Sequence, residues 1–161
     1  MTSIIRPIAG NVANYTSCGF TATDFNSLAN GSVAVMPTSA AIDNTVNLDD
    51  YMDVSFSLVI GGTLTAASFL SLYLLPLNQD GTTYGDGIVT GSTLPGVSYW
   101  LTNAFGKNGA VSSNTITGTF PTIVLPRKKL ILAVANNLGV ALNSAAAAAV
   151  AFNTTNVNGN G

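Results

Sequence analysis

"VSFSLVIGGTLTAASFLSLYLLP", residues 54–76, is the stretch on which the fold turns. Its first part alternates: Val54, Phe56, Leu58 and Ile60 take every second position, separated by Ser55, Ser57 and Val59. Successive side chains of a strand point to opposite faces, so this pattern predicts a strand with one buried face. "GGTLTAAS" then turns the chain. From Phe69 to Leu75 both faces are apolar, with Leu70, Leu72 and Leu74 on one and Phe69, Ser71, Tyr73 and Leu75 on the other. That predicts a strand covered on both sides, closed by Pro76.

The same grammar extends outward. Residues 76–98 read as a long Gly- and Thr-rich connection, and "SYWLTNAF" as an aromatic strand. "NTITGTFPTIVL" alternates again, Ile116, Gly118 and Phe120 opposing Thr115, Thr117 and Thr119. "PRKKLILAVA" predicts the next strand, and "NNLG" the hairpin turn after it, since Asn and Gly tolerate positive φ. Upstream, Leu28 to Met36 predicts a short strand closed by Pro37, and "AIDNTVNLDD" a turn. The alanine run Ala145–Ala149 has helical propensity. It lacks charged partners at i,i+4 spacing and follows a strand and a tight turn. A closing strand from about Ala147 to Asn156 is favoured over a short helix.

Residues 1–27 are irregular. "SIIRPIAG" sets Ile4, Ile5 and Ile8 around Arg6 and Pro7, which reads as an extended arm docking on its own domain or on a neighbour. The expectation is an N-terminal arm over residues 1–27 and a single domain over residues 28–161. Seven or eight short strands predict an all-β, antiparallel β-sandwich, jelly-roll-like in form, with an immunoglobulin-like sandwich as the alternative.

Composition supports an all-β chain and limits its chemistry. Charged residues are 7% of 161 residues, against about 25% in ordinary domains. Histidine and glutamate are absent, so all seven acids are aspartate. Without histidine, the usual serine triads and nearly all zinc sites are excluded. Cys18 has no partner for an internal disulfide and reads as a small buried thiol. Mean hydropathy is +0.42, yet the longest apolar run, Ala66 to Leu77, is interrupted by serines and Pro76. A spanning helix needs about 20 apolar residues, so no membrane association is expected. "MTSIIRPIAG" has no apolar h-region, so no signal peptide is expected, and the Asn14, Asn30 and Asn153 acceptor patterns carry little meaning. A net charge of −2 exerts no long-range pull on nucleic acid and gives little repulsion between copies.

Several clusters are candidate sites. Asp80 and Asp86, in "DGTTYGDG", suggest calcium, but an EF-hand loop needs oxygens at alternate positions and a terminal Glu. Thr82 and Tyr84 occupy those positions and no Glu exists, so turns are the expected reading. Asp49, Asp50 and Asp53 are richer in carboxylate and read as a solvated turn. Tyr73, Tyr84, Tyr99 and Trp100 would suit sugar stacking; core filling is favoured. Arg127, Lys128 and Lys129 form the one basic cluster, too small for a nucleic-acid site and expected on a loop, with an acidic patch of a partner as the alternative. No catalytic residue, cofactor or metal is expected.

Two segments carry a family resemblance. "VSFSLVIGGTLTAASFLSLYLLPLNQDGTTYGDG", residues 54–87, resembles small structural proteins of tailed bacteriophages. These have a strand, a small-residue turn, a strand ending in Tyr-Leu-x-Pro and a "DGTxYxDG"-like loop. "TIVLPRKKLILAVANNLGVAL", residues 122–142, is similar to that group's strand, Pro-basic turn, strand and "NN-x-G" hairpin. The alanine run and the N-terminal region depart from the pattern. The resemblance implies a virion protein assembled in the host bacterial cytoplasm, of the capsid cement or decoration type. It would bind the major capsid protein and further copies of itself, as a dimer or trimer, and neither nucleic acid nor membrane. Ile4, Ile5, Arg6, Pro7, Ile8, Asp80, Tyr84, Asp86, Arg127, Lys128 and Lys129 are the expected interface residues. The alternative is a tail or adhesin-type β-sandwich that recognises host surface glycans.

Overall fold

The structure is a computed structural model. It describes residues 6–9, 20–47, 50–65, 67–85, 87–93, 100–106, 111–112, 115–143 and 149–158. The chain is all-β, with its strands in antiparallel sheets and very little helix. In chain order the strands are β1 (Arg6–Ala9), β2 (Val33–Val35), β3 (Ile42–Asp43), β4 (Tyr51–Val59) and β5 (Phe69–Pro76). They continue with β6 (Trp100–Gly106), β7 (Val111–Ser112), β8 (Thr115–Val124), β9 (Lys129–Asn137) and β10 (Ala149–Asn158). Two single-turn helices, α1 (Ala22–Phe25) and α2 (Asn44–Asn47), fill connections.

One sheet has the order β1-β10-β4-β8-β7, the other β2-β9-β5-β6, with β3 also on β9. In β4 the expected alternation is realised: Met52, Val54, Phe56 and Leu58 are buried and the residues between them are not. In β5, Leu70, Leu72 and Leu74 are buried with Ser71 and Leu75. The apolar ones among these, with Ile116 and Phe120 of β8 and Leu132 and Val134 of β9, belong to one hydrophobic core. Each such side chain taken out of water contributes about 1.5–3 kcal/mol before entropy is counted. Phe56 and Phe120 meet with ring centroids 5.2 Å apart and planes tilted by 52°.

β8 holds a bulge that the alternation alone does not reveal. Met52 pairs with Ile123, but Val54 pairs with Phe120, so β8 carries one extra residue there. Pro121 lies at that bulge, where a strand can tolerate a residue without an N–H. The extra residue resets the phase, and both Phe120 and Ile123 end up buried.

Three expectations need correction. "NNLG" does turn the chain, with Gly139 at φ 81°, but it does not close a hairpin. β9 is already paired with β5 on one side and with β2 and β3 on the other, so no edge remains for the following strand. The chain crosses instead to the first sheet, where Leu142 bridges Ile60 and β10 pairs with β4 and β1. The strand expected from Leu28 to Met36 shrinks to Val33–Val35, because Ser27 and Gly31 adopt positive φ, 52° and 83°. The segment 41–50 is more than a turn, since it supplies β3 and α2.

Two other expectations meet the structure differently. Ala149 begins a strand; residues 145–148, the rest of the alanine run, lie outside the described residues. Within residues 1–27, Arg6–Ala9 pairs with β10 at the edge of the first sheet, where a proline is tolerated.

Candidate interaction surface

Five of the eleven expected interface residues, Asp80, Tyr84, Arg127, Lys128 and Lys129, converge at one end of the molecule. Here β5 and β8 finish, β4 and β9 begin, and three loops meet: 43–50, 77–85 and 125–129. The Leu77 N–H donates to the Lys129 carbonyl at 2.8 Å, joining the second loop to the third. The Asn44 amide donates to the Pro126 carbonyl at 3.0 Å, and its N–H donates to the Lys128 carbonyl at 3.3 Å, joining the first.

Loop 77–85 is stapled from within. The Asp80 carboxylate accepts the N–H groups of Thr82 and Thr83, each at 2.9 Å, and the Thr83 hydroxyl. The Asn78 amide donates to Thr83 Oγ1 at 3.0 Å and to the Gly85 carbonyl. Leu77 and Tyr84 form an isolated β-bridge across the loop's base. The Thr83 hydroxyl, followed by the two backbone donors, holds the Asp80 carboxyl down to about 2 from the usual 3.8. Asp80 is therefore a structural acceptor. Among the described residues no group of three or more acidic or thiol side chains is arranged to hold a metal; Asp86 lies outside them.

The basic turn is met by acids of its own chain. Lys129 Nζ stands 3.0 Å from Asp43, and Arg127 stands 3.7 Å from Asp50. The Thr45 hydroxyl, with Lys129 beside it, lowers the Asp43 carboxyl, while Asp43 raises the Lys129 amine. Both pairs are solvent-exposed, and such pairs contribute at most about 1 kcal/mol. Their effect is on availability, because two of the three cations are already balanced locally. Lys128 has no ion pair among the described residues.

Every described aspartate is engaged in this way. Asp24 accepts the Thr21 N–H at 2.7 Å, and Asp53 accepts the Thr122 hydroxyl at 2.7 Å, alongside Asp43, Asp50 and Asp80 above. The sequence signal was present in the pattern Asp-x-Thr at Asp43 and Asp80, which favours local side-chain-to-backbone turns. The role of Asp43 and Asp50 as partners of the basic turn was not visible, because they are distant in sequence.

Tyr84 is only 9% exposed and packs in the core, so it offers no ring face for stacking; Tyr73 is half-buried. Tyr99 lies outside the described residues, as do Ile4 and Ile5, while Arg6, Pro7, Ile8 and Trp100 are placed by their strand pairing. A cleft of about 320 Å³ opens between the 82–90 segment and β2, with Val35, Met36 and Ile131 at its apolar floor and Thr38, Thr83 and Thr90 around it. That lies at the small end of ligand-sized pockets. No family model, curated protein or solved structure matches the chain.

Proposed function

We propose that this chain is a structural virion protein of a tailed bacteriophage, a capsid cement or decoration protein that binds the major capsid protein and stabilises the head. The sequence resemblance at residues 54–87 and 122–142 supplies the family. The observation that carries the reading furthest is the end formed by loops 43–50, 77–85 and 125–129. There both matched segments meet through the Leu77–Lys129 hydrogen bond. Their loops are preorganised by Asp80, Asn78 and Asn44, so docking would cost little ordering entropy.

The fold proposed with it is a jelly-roll sandwich. Setting aside the two-residue strands β3 and β7, eight strands fall into the orders β1-β10-β4-β8 and β2-β9-β5-β6. Consecutive strands then change sheet at every step except β5 to β6, which pair directly, in the manner of two Greek keys, an architecture used by viral capsid and lectin domains. The shared core of the two sheets supports the same reading.

Such a protein acts through contact, without catalysis. By binding the assembled shell and not its dissociated subunits, it shifts the balance toward the shell. The test is to add the purified chain to capsids that lack it. Disruption temperature and resistance to osmotic shock should rise, and cryo-electron microscopy should locate the chain on the head. Capsids that melt identically with and without saturating protein would refute the reading. A fluorescence change on adding host polysaccharide, without capsid binding, would replace it with the glycan-binding alternative.

A further inference from the structure

Asn30 and Gly31 form a chemically sensitive pair. An asparagine followed by glycine can close on itself: the glycine nitrogen attacks the asparagine Cγ, and no Cβ hinders the approach. The N–Cγ bond forms, the Cγ–Nδ2 bond breaks, and Nδ2 leaves as ammonia with the proton that the glycine nitrogen gives up. Water then opens the resulting succinimide to aspartate or to isoaspartate, whose main chain is one carbon longer. The sequence holds four such pairs, at 30–31, 108–109, 158–159 and 160–161, and only the first lies wholly within the described residues. Asn30 is exposed and Gly31 half-buried, so water reaches them.

Both reacting groups are tied elsewhere. The Gly31 N–H donates to the Asn136 carbonyl at 2.6 Å, and Asn30 Oδ1 accepts the Gly139 N–H at 2.8 Å. Asn136 is the centre of this clasp. Its N–H donates to the Ser32 carbonyl at 2.9 Å, and its buried side chain donates to the Leu28 and Val140 carbonyls and accepts the Leu138 N–H. The segment 28–32 is thereby fastened to the end of β9 and to the turn after it. Ring closure needs the nitrogen stripped of its proton and brought, aligned, to about 3–3.5 Å from Cγ. The Gly139 donor polarises the Cγ carbonyl, which by itself favours attack. The Asn136 carbonyl opposes it, because an acceptor facing the N–H disfavours loss of that proton. The second effect decides, since no bond forms until the nitrogen is free.

We propose that Asn30 is a latent deamidation site held closed by the Asn136 clasp, reacting only when the segment 28–32 opens away from β9. Its rate is then the rate of the unfolded chain scaled by the fraction of time the clasp is open, as for any reaction of a locally opened state. Isoaspartate would insert its extra carbon between the Gly139–Asn30 and Gly31–Asn136 hydrogen bonds, whose spacing it cannot keep. It would also stand just before β2, whose pairing with β9 begins at Val33 and Ala135. This inference is independent of the capsid reading, since it concerns the isolated chain.

The experiment is peptide mapping by mass spectrometry on the full chain, incubated at mildly alkaline pH with and without guanidinium chloride. Asn30 should deamidate at least about tenfold more slowly in the folded chain than in the denatured one. Asn136→Ala, which removes the side-chain half of the clasp, should raise the folded-state rate by about tenfold. Melting curves show whether this variant folds. Where it does not, hydrogen exchange of the Gly31 amide in wild type is read instead, and its slowing on folding should match that of deamidation. Equal rates at Asn30 in the folded and denatured chains overturn the proposal. So does a folded Asn136→Ala that deamidates no faster than wild type, or a Gly31 amide that exchanges freely while Asn30 stays unreacted.

Discussion

Tyr51 and Val124 stand directly opposite each other where β4 meets the end of β8, and both face solvent, at 39% and 69% exposure. The Leu125 N–H donates to the Asp50 carbonyl beside them, and the Asp50–Arg127 pair borders the patch. An exposed aromatic next to an aliphatic side chain, edged by arginine, has the composition of an interface centre. Under the capsid reading, Val124→Asp should reduce co-sedimentation with capsids by at least about tenfold. It should change folding stability by no more than about 0.5 kcal/mol, as is usual for a surface position. Full retention on capsids would remove this pair from the contact.

The Asp80 staple gives a pH signature. Its carboxyl titrates at about 2 in the folded chain and near 3.8 when free. A depressed value means that the staple contributes stability above 3.8 and loses it as pH falls through about 2. In an NMR titration the Thr83 amide resonance should therefore move with a midpoint near 2, and Asp80→Asn should abolish that movement. A midpoint at the free value would show that the carboxylate does not hold the loop.

Asn136 is a stronger lever on stability. It is fully buried, and its amide donates to the Leu28 carbonyl at 2.9 Å and the Val140 carbonyl at 3.0 Å, while its oxygen accepts the Leu138 N–H at 3.1 Å. Asn136→Ala leaves three backbone groups without that partner, and should cost about 2–4 kcal/mol in chemical denaturation. A loss under about 1 kcal/mol would mean that other groups satisfy them.

Gly61 tests how firmly the turns at residues 60–65 and 138–143 are held together. A Cβ there would stand 3.0 Å from the Ala141 carbonyl oxygen, a backbone atom that also accepts the Gly61 N–H. Gly61→Ala should destabilise by about 1–3 kcal/mol, as overpacking does. Gly81→Ala, where a Cβ meets nothing within 4 Å but φ is 71°, isolates the separate cost of backbone strain, about 1 kcal/mol. Equal melting of Gly61→Ala and wild type would show that the two loops separate easily.

Much of this was legible locally. The Val54–Ile60 alternation predicted the buried face of β4, since a period of two in apolar side chains has no other regular solution. The doubly apolar run from Phe69 to Leu75 predicted a strand covered on both faces; Leu70, Leu72 and Leu74 are buried, but on the other face Ser71 and Leu75 are buried while Phe69 is exposed and Tyr73 half-buried. Asp80 and Asp86 failed the ligand spacing for calcium, and Asp80 proved to be a turn acceptor. Pairing was not legible. "NNLG" satisfies the local chemistry of a hairpin turn, but whether two strands pair depends on which edges are still free.

By itself, then, the sequence determined that the chain is built mainly of strands and which face of β4 is buried, because alternation and turn chemistry act over a few residues. It also determined that the chain would be poor in charge. The tertiary structure alone decided that β10 crosses to β4, that Lys129 and Arg127 are met by Asp43 and Asp50, and that Leu77 is joined to Lys129. Those are relations between residues tens of positions apart. They are set by which strand edges compete for partners and by where one shared core brings the loops together.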